Sequence, residues 1–140
     1  MTNSSIVVGV GDDSAARGAL DWAAAEALAR GTGLELVRAF HFTPGVEPWG
    51  PVAADGLITD SLHRAAERRL SRAARYLAST VPGLPTTSVA VDGIAWDVLI
   101  DRSREGALVV LGSRRLSAGR AVALGSVSTV VAAKAPGPVV

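Results

Sequence analysis

The segment between Gly112 and Ser128 contains the residue types that most clearly suggest chemistry. It opens with Gly112-Ser113-Arg114-Arg115 and closes with Gly125-Ser126-Val127-Ser128. Glycine lets a backbone approach phosphate oxygens closely, successive N–H groups surround an anion, and a helix N-terminus attracts negative charge. The pattern therefore predicts a phosphate-binding loop that leads into a helix at Ser126.

The other polar side chains suggest structural roles. Asp12 and Asp13 stand where a helix is expected to begin; such carboxylates bind a metal or activate water in some proteins, but they more often cap the helix. His41 and His63 lack the serine and aspartate neighbours of a catalytic triad and are interpreted as surface histidines. The chain has no cysteine, which excludes disulfides and thiolate zinc sites. We therefore predict no catalytic residue and no metal site, and we expect that the protein is not an enzyme.

Composition and charge favour one small cytoplasmic domain. The 140 residues suit a single domain over 1–140, and a hydrophobic content of 49% is enough to form a core. The formal net charge of +1 argues against nucleic acid or a membrane surface as a partner. No apolar run reaches membrane-spanning length, and the first ten residues lack the features of a signal peptide. We expect a soluble cytoplasmic protein with no nucleic-acid or membrane partner.

Short apolar runs alternate with helical patterns along the chain. The runs are rich in β-branched residues and are bounded by glycine, proline or aspartate, which is typical of buried strands. Between them, apolar residues recur every three or four positions, which predicts helices. This alternation indicates βαβ units and a parallel sheet with helices on both faces, and we expect five strands. The predicted strands are 5–10, 34–40, 86–91, 107–111 and one beginning near 138; the predicted helices are 14–30, 57–80, 95–104 and 126–134.

Three features outside the predicted strands need no role in ligand binding to explain them. The proline- and glycine-rich segment 41–56 is a long loop, either a lid or partner surface or a variable surface excursion. Trp22 and Trp96 belong to helical patterns and are interpreted as packing residues. The arginines of the second predicted helix form a solvated face, and they are Arg64, Arg68, Arg72 and Arg75.

The expected site lies at one edge of the predicted sheet. Open parallel sheets bind ligands beyond the carboxyl ends of their strands, where the strand order reverses. The turns after Val10, Phe40 and Leu111 are the places where this chain reaches that edge. The glycine-rich segment begins at Gly112, directly after the last of these turns.

Two stretches of the sequence resemble the universal stress protein family. They are VVGVGDDS followed by AARGALDWAAAEA near the start, and Gly125-Ser126-Val127-Ser128 followed by Ala135-Pro136-Gly137-Pro138-Val139 near the end. The resemblance covers essentially the whole chain. It implies a five-stranded parallel sheet of strand order 3-2-1-4-5, of the adenine nucleotide alpha hydrolase-like type, and a homodimer. Some family members bind ATP and others do not. The implied cofactor is therefore ATP with magnesium, or none if the altered loop has abolished binding.

The phosphate loop of the ATP-binding members is only partly matched. Its three glycines map onto Gly112, position 115 and Gly125, but position 115 is Arg115. If this position requires a positive φ, its Cβ costs on the order of 1 kcal/mol and the side chain fills the phosphate space, which closes the site. If the loop bends at Gly119 instead, Arg114 or Arg115 directs its guanidinium to the phosphate. Both interpretations stay open, and retained binding is preferred because the Gly-Ser-Val-Ser segment is whole.

Two further ligand positions of the family lie at the ends of the first and second strands. The aspartate that contacts the adenosine part is replaced by Gly11, and Asp12 follows one residue later. Ala39 falls where a backbone group of the second strand meets adenine. The implied ligand-binding residues are Val10, Gly11, Asp12, Ala39, Gly112, Arg114, Arg115, Gly125, Ser126, Val127 and Ser128.

The sequence therefore supports two functions. The first is a nucleotide-binding stress-response or regulatory domain with an altered phosphate loop. The alternative is a domain that has lost ATP binding and acts as a dimerisation module or binds an unknown protein partner, which Gly11 and Arg115 favour.

Overall fold

The computed structural model describes residues 5–11, 15–41, 55–105, 107–112, 114–115, 122–123, 126–135 and 137–140. Its centre is a four-stranded parallel sheet in the order β3-β2-β1-β4. The strands are β1 (Ile6–Gly9), β2 (Leu34–Phe40), β3 (Thr86–Asp92) and β4 (Leu108–Leu111), and a separate antiparallel pair is formed by β5 (Arg114–Arg115) and β6 (Val122–Ala123). The helices are α1 (Ala15–Arg30), α2 (Asp55–Thr80), α3 (Ala95–Arg104) and α4 (Ser126–Lys134). The predicted α/β class with a parallel sheet is confirmed.

Both faces of the sheet are covered by apolar contacts. Leu36 of β2 is fully buried in a core that includes residues of α1 and α2. Val37, the next residue, belongs to a second core with Leu99 of α3 and Val131 of α4. Because successive side chains of a strand point to opposite faces, a strand between two helical layers must be apolar in consecutive positions. This is why β1 and β4 are continuous apolar runs, and why Leu36 and Val37 of β2 are both apolar between the charged residues Glu35 and Arg38.

The prediction of a five-stranded parallel sheet is wrong, and four strands form this sheet among the described residues. The segment predicted as the fifth strand does lie beside β4: Val140 N–H donates to Val109 O at 2.9 Å, and Leu111 N–H donates to Val140 O at 2.9 Å. Only one parallel bridge results, between Val109 and Val139. The carbonyl oxygen of Pro138 accepts a hydrogen bond from Val109 N–H at 3.1 Å, but Pro138 has no N–H to donate to β4 in return, which limits the ladder at this end.

The turns that follow the two long helices before β2 and β3 each contain a glycine in a left-handed conformation. Gly31 follows α1 with φ of 68°, and Gly83 follows α2 with φ of 89°. After α1, Thr32 N–H donates to Ala27 O at 2.9 Å, a hydrogen bond typical of a helix C-terminus that closes on glycine. These turns set where β2 and β3 begin and therefore where both strands reach the carboxyl edge.

The outer face of α1 differs from the prediction. Its buried face carries Ala19, Leu20 and Ala23, which recur at the spacing of three or four positions that predicts a helix. Trp22, predicted to be a packing residue, is 42% exposed, and Leu28 is 60% exposed. Both side chains lie on the face of α1 that points away from the sheet. Only one face of a helix can pack on a sheet, and in α1 that face consists mostly of alanine. Trp96, by contrast, packs against the second core as predicted.

A hydrogen bond between two side chains ties α1 to α2. Tyr76 of α2 donates its O–H to Asp21 Oδ1 of α1 at 2.7 Å, and the guanidinium of Arg17 lies 5.4 Å from the centre of the Tyr76 ring. The hydrogen bond to the Asp21 carboxylate raises the pKa of Tyr76 above 10.0, because ionisation would place two negative charges together. This contact therefore stabilises the folded state only while the phenol keeps its proton.

We expect the Asp21–Tyr76 contact to fail at alkaline pH. A pKa that is higher in the folded state gives a contribution that is complete below the unfolded pKa and is lost as pH rises through the folded pKa. Because Tyr76 is the chain's one tyrosine, an ultraviolet titration of tyrosinate reports its pKa directly. In the Asp21→Asn variant the pKa is expected to fall toward the ordinary value. Equal titration curves for the two proteins would contradict the assignment.

Candidate functional site

The strand order reverses between β1 and β4. The chain builds β2 and β3 on one side of β1 and then crosses to place β4 on the other side. Gly9 and Leu111 are paired in register at the ends of these two strands. Val10 and Gly11 therefore leave the sheet beside Gly112, as the predicted position of the site requires.

Backbone and side-chain hydrogen bonds fix the end of β1. Val10 is buried, and its N–H donates to Val37 O at 2.9 Å. Its carbonyl oxygen accepts a hydrogen bond from Arg38 Nη1 at 3.0 Å. Gly11, the next residue, is exposed. The backbone of Val10 is therefore fixed by two hydrogen bonds, and the exposed Gly11 follows it at the carboxyl edge of the sheet.

Sequence reasoning missed Arg38. It is the residue before Ala39, and its guanidinium reaches across to the neighbouring strand at the carboxyl edge. A charged residue within a mainly apolar strand, two positions before the strand ends, was the signal in the sequence, although Glu35 in the same strand carries charge as well. Because the partner is a backbone carbonyl 28 residues earlier in the chain, no local pattern connects the two.

The phosphate-loop segment contains a short antiparallel pair. Arg114 pairs with Ala123 and Arg115 pairs with Val122. Arg115 thus has the extended backbone that any residue with a Cβ adopts without cost. The structure gives no support to a positive φ at Arg115. The pairing fits the alternative interpretation, in which the loop bends farther along the chain.

Helix α4 begins at Ser126, as predicted. The first N–H groups of a helix have no partner within the helix, so Ser126, Val127 and Ser128 offer backbone donors. Val139, which follows α4 in the chain, pairs with Val109 of β4 in the parallel direction. The chain must therefore return along α4 from the carboxyl edge of the sheet toward its opposite edge. The N-terminus of α4 consequently lies at the edge where β1 and β4 end.

Four residues named in the sequence analysis lie outside the described residues, and they are Asp12, Asp13, Gly119 and Gly125.

Ala39 borders a cavity beside the end of β2. It is half-buried, is paired in register with Val91 of β3, and belongs to the wall of a cavity of about 330 Å³. The cavity lies between β2 and α2. Its lining residues are Arg38, Ala39, Phe40, His41, Leu62, Ala65, Ala66 and Arg69.

Each histidine lies beside a carboxylate. His41 Nδ1 lies 4.0 Å from Asp92 Oδ1. His63 Nε2 lies 3.1 Å from Glu67 Oε1, and the His63 ring stacks on Phe40 with centroids 5.2 Å apart. These contacts agree with the interpretation of both as surface histidines. No group of three side chains suited to a metal ion occurs among the residues that the structure describes.

None of the described helices is both long enough and apolar enough to cross a membrane.

Comparison with known proteins gives matches over nearly the whole chain. The model of the universal stress protein family matches residues 2–140. A universal stress protein from Mycolicibacterium smegmatis is 32% identical over 143 residues, which covers 99% of this chain and 48% of that protein. The chain therefore spans about half the length of this relative.

Solved structures show the same fold. The universal stress protein from Archaeoglobus fulgidus is 25% identical, with a TM-score of 0.76 and coverage of 99% of this chain and 98% of that one. Universal stress protein UspA from Lactobacillus plantarum is 21% identical, with a TM-score of 0.73 and coverage of 100% and 98%. The chain belongs to the universal stress protein family.

Proposed function

We propose that this chain binds ATP or a related adenine nucleotide in the crevice between the carboxyl ends of β1 and β4, and acts as a regulatory or stress-response domain. The observation that carries the proposal is the reversal of strand order at this point, which places Val10 and Gly11 beside Gly112. Solved relatives support it, since they include complexes with dAMP, with cAMP and with AMP.

The roles of the residues follow from their positions. Gly112, Gly125 and the N–H groups at the start of α4 hold the phosphates, because a glycine backbone and a helix N-terminus both favour anions. A guanidinium of Arg114 or Arg115 adds a charged hydrogen bond in the altered loop. Ala39 presents its backbone to adenine, and Gly11 with Asp12 takes the adenosine side. Magnesium accompanies the triphosphate.

We further propose that the protein senses the nucleotide and does not turn it over, and that it acts in the cytoplasm as a homodimer. Among the described residues, the two histidines pair with surface carboxylates rather than with a serine or a nucleophile. Nothing in that arrangement supplies a general base near the crevice.

The second candidate is an interaction module that has lost its ligand. Gly11 and Arg115 replace the aspartate and the glycine of the family pattern, and the Val10 carbonyl already accepts a hydrogen bond from Arg38. The exposed Trp22 and Leu28 of α1 offer apolar surface to a protein partner. This candidate predicts no response to any nucleotide.

A thermal-shift titration with ATP, ADP, AMP, dAMP and cAMP, with and without magnesium, tests the first candidate. A ligand that binds only the folded state stabilises it by about 2.7 kcal/mol at roughly 100 times its Kd. We expect a dose-dependent rise in the melting temperature with at least one of these nucleotides. No rise with any of them would reject nucleotide binding.

The Gly11→Asp/Arg115→Gly double variant separates the two candidates. It restores the family residues at both departures. If the parent protein does not respond and the double variant does, the site has been lost and the interaction module is supported. If the parent responds, Arg114→Ala and Arg115→Ala are the next variants, because they show whether a guanidinium contributes to the affinity.

A further inference from the structure

Strands β1 and β2 separate near their carboxyl ends. In a parallel strand, successive residues direct their N–H and C=O groups alternately to the two neighbouring strands. Gly93 N–H donates to Phe40 O at 2.8 Å, so Phe40 faces β3. Val37 faces β1 instead, because its carbonyl oxygen accepts a hydrogen bond from Val10 N–H at 2.9 Å. Ala39, two residues after Val37, therefore directs both its N–H and its C=O toward β1.

The next hydrogen bond of this ladder does not form among the described residues. A regular continuation would place Val10 opposite Arg38 and have Ala39 N–H donate to Val10 O. The pairing of β1 with β2 ends instead at Gly9 and Val37. Val10 O accepts its hydrogen bond from Arg38 Nη1, at 3.0 Å. Within the part of the chain that the structure describes, the N–H and the C=O of Ala39 have no hydrogen-bond partner.

We propose that Arg38 is a positioning residue, which keeps the backbone of Ala39 available to a nucleobase. Val10 is buried, so its carbonyl oxygen needs a donor where β1 turns away from β2. A guanidinium is a charged donor and makes a stronger hydrogen bond to a carbonyl than a backbone amide makes. Because Arg38 supplies this donor, Ala39 N–H is not drawn into the ladder. The donor and the acceptor of Ala39 then stay open side by side.

An open N–H beside an open C=O matches adenine. The N1 atom of adenine accepts a hydrogen bond and its N6 amino group donates one, whereas hypoxanthine has a donor at N1 and an acceptor at O6. The backbone of Ala39 therefore suits a 6-amino purine and opposes a 6-oxo purine, whose donor and acceptor would both meet like groups. This selection of the base rests on the proposed function, but the opening of the ladder by Arg38 does not.

Amide hydrogen exchange of the ligand-free protein, followed by NMR, tests the role of Arg38. Ala39 N–H is expected to exchange rapidly in the parent protein, and Val37 N–H, which lies within the ladder, is expected to exchange slowly. In Arg38→Met the Val10 carbonyl is expected to accept Ala39 N–H, which slows the exchange of Ala39 about tenfold or more. Slow exchange of Ala39 in the parent, or an unchanged rate in Arg38→Met, would overturn the proposal.

Two further variants control for charge and for folding. Arg38→Lys keeps a charged donor on a long side chain and is expected to retain the rapid exchange of Ala39. Arg72→Met makes the same chemical change as Arg38→Met at an exposed position of α2 and is expected to leave the rate as in the parent. If Arg72→Met slows Ala39 as much as Arg38→Met does, the proposal is rejected. The rate in the parent requires no variant, so the proposal can fail on that measurement even if Arg38→Met does not fold.

Calorimetric titration with AMP and with IMP measures the selection of the base. The parent is expected to bind AMP about tenfold or more tightly than IMP, a factor that corresponds to about 1.4 kcal/mol. In Arg38→Met the ratio of the two affinities is expected to fall close to one, and Arg38→Lys is expected to restore it. A purely structural role would weaken both nucleotides equally and leave the ratio unchanged, which would reject positioning by Arg38.

Failure of the proposed function would be recognised separately. If the parent binds neither AMP nor IMP, nucleotide binding in the crevice is rejected. The exchange rates of Ala39 in the parent and in Arg38→Met still decide whether Arg38 holds the ladder open, because they are measured without a ligand.

Discussion

Replacing Gly9 with alanine is expected to lower the free energy of unfolding by about 1–3 kcal/mol, because the added methyl group meets the side chains of Leu111 and Leu99, which must shift to admit it. A Cβ at this position would lie 2.5 Å from Leu111 Cδ2 and 3.2 Å from Leu99 Cδ1. Leu99 is buried and leaves little room to move. Because Leu111 directly precedes Gly112, its displacement is also expected to disturb the proposed crevice and to reduce any nucleotide-induced stabilisation.

Gly18→Ala is the matched control for Gly9→Ala. Gly18 lies in the interior of α1, and a Cβ there would have no atom within 4 Å. The same change is therefore expected to stabilise the protein by roughly 0.5–1 kcal/mol through the higher helix propensity of alanine. Urea unfolding followed by circular dichroism measures both variants. Destabilisation of similar size in the two would show that packing around Gly9 is not the cause.

Leu36→Ala is expected to cause the largest loss of stability, about 2–5 kcal/mol. Leu36 is fully buried in β2, a central strand, and its side chain fills the core beneath α1 and α2. Removing it loses apolar burial and leaves a cavity that a strand hydrogen-bonded on both sides cannot close. A loss of this size is a large share of the 5–15 kcal/mol that domains typically have.

Leu28→Ala makes the same chemical change on the surface. Leu28 is 60% exposed on the outer face of α1, and we expect its replacement to change the stability by no more than about 0.5 kcal/mol. Chemical denaturation of both leucine variants gives the comparison. If Leu28→Ala proves as costly as Leu36→Ala, the outer face of α1 is covered in solution, as the interaction-module function requires.

Much of the fold was predictable because local signals agree with the tertiary structure. The predicted bounds of β2, α3 and α4 match those observed, since glycine, proline and charged residues mark the ends of these elements. Gly31 and Gly83 are among the glycines that separate the helical patterns from the strand patterns in the sequence, and both adopt a positive φ. Consecutive apolar residues in β1 and β2 correctly indicated strands buried on both faces.

Features that depend on contacts between distant residues were not predictable. The hydrogen bond from Arg38 to Val10 joins two strands, and the cavity beside it needs β2 and α2 to be placed together. The exposure of Trp22 depends on which face of α1 meets the sheet. Trp22 stands next to the buried Ala23, so the sequence pattern did not decide whether its side chain is buried. The missing fifth strand depends on how the last residues meet β4, and that pairing is visible only in three dimensions.

The parallel pairing of β1 on its two sides also implies an order of folding. Ile6 pairs with Leu34 on one side and with Leu108, about one hundred residues away, on the other. Closing the longer loop costs about 1 kcal/mol more in chain entropy, and non-local pairings form slowly. We expect β1, β2 and β3 with their helices to assemble first, while one edge of β1 stays open to wrong partners until β4 docks. The crevice between β1 and β4 is then the last part of the molecule to form, so a bound nucleotide is expected to slow unfolding without hastening folding.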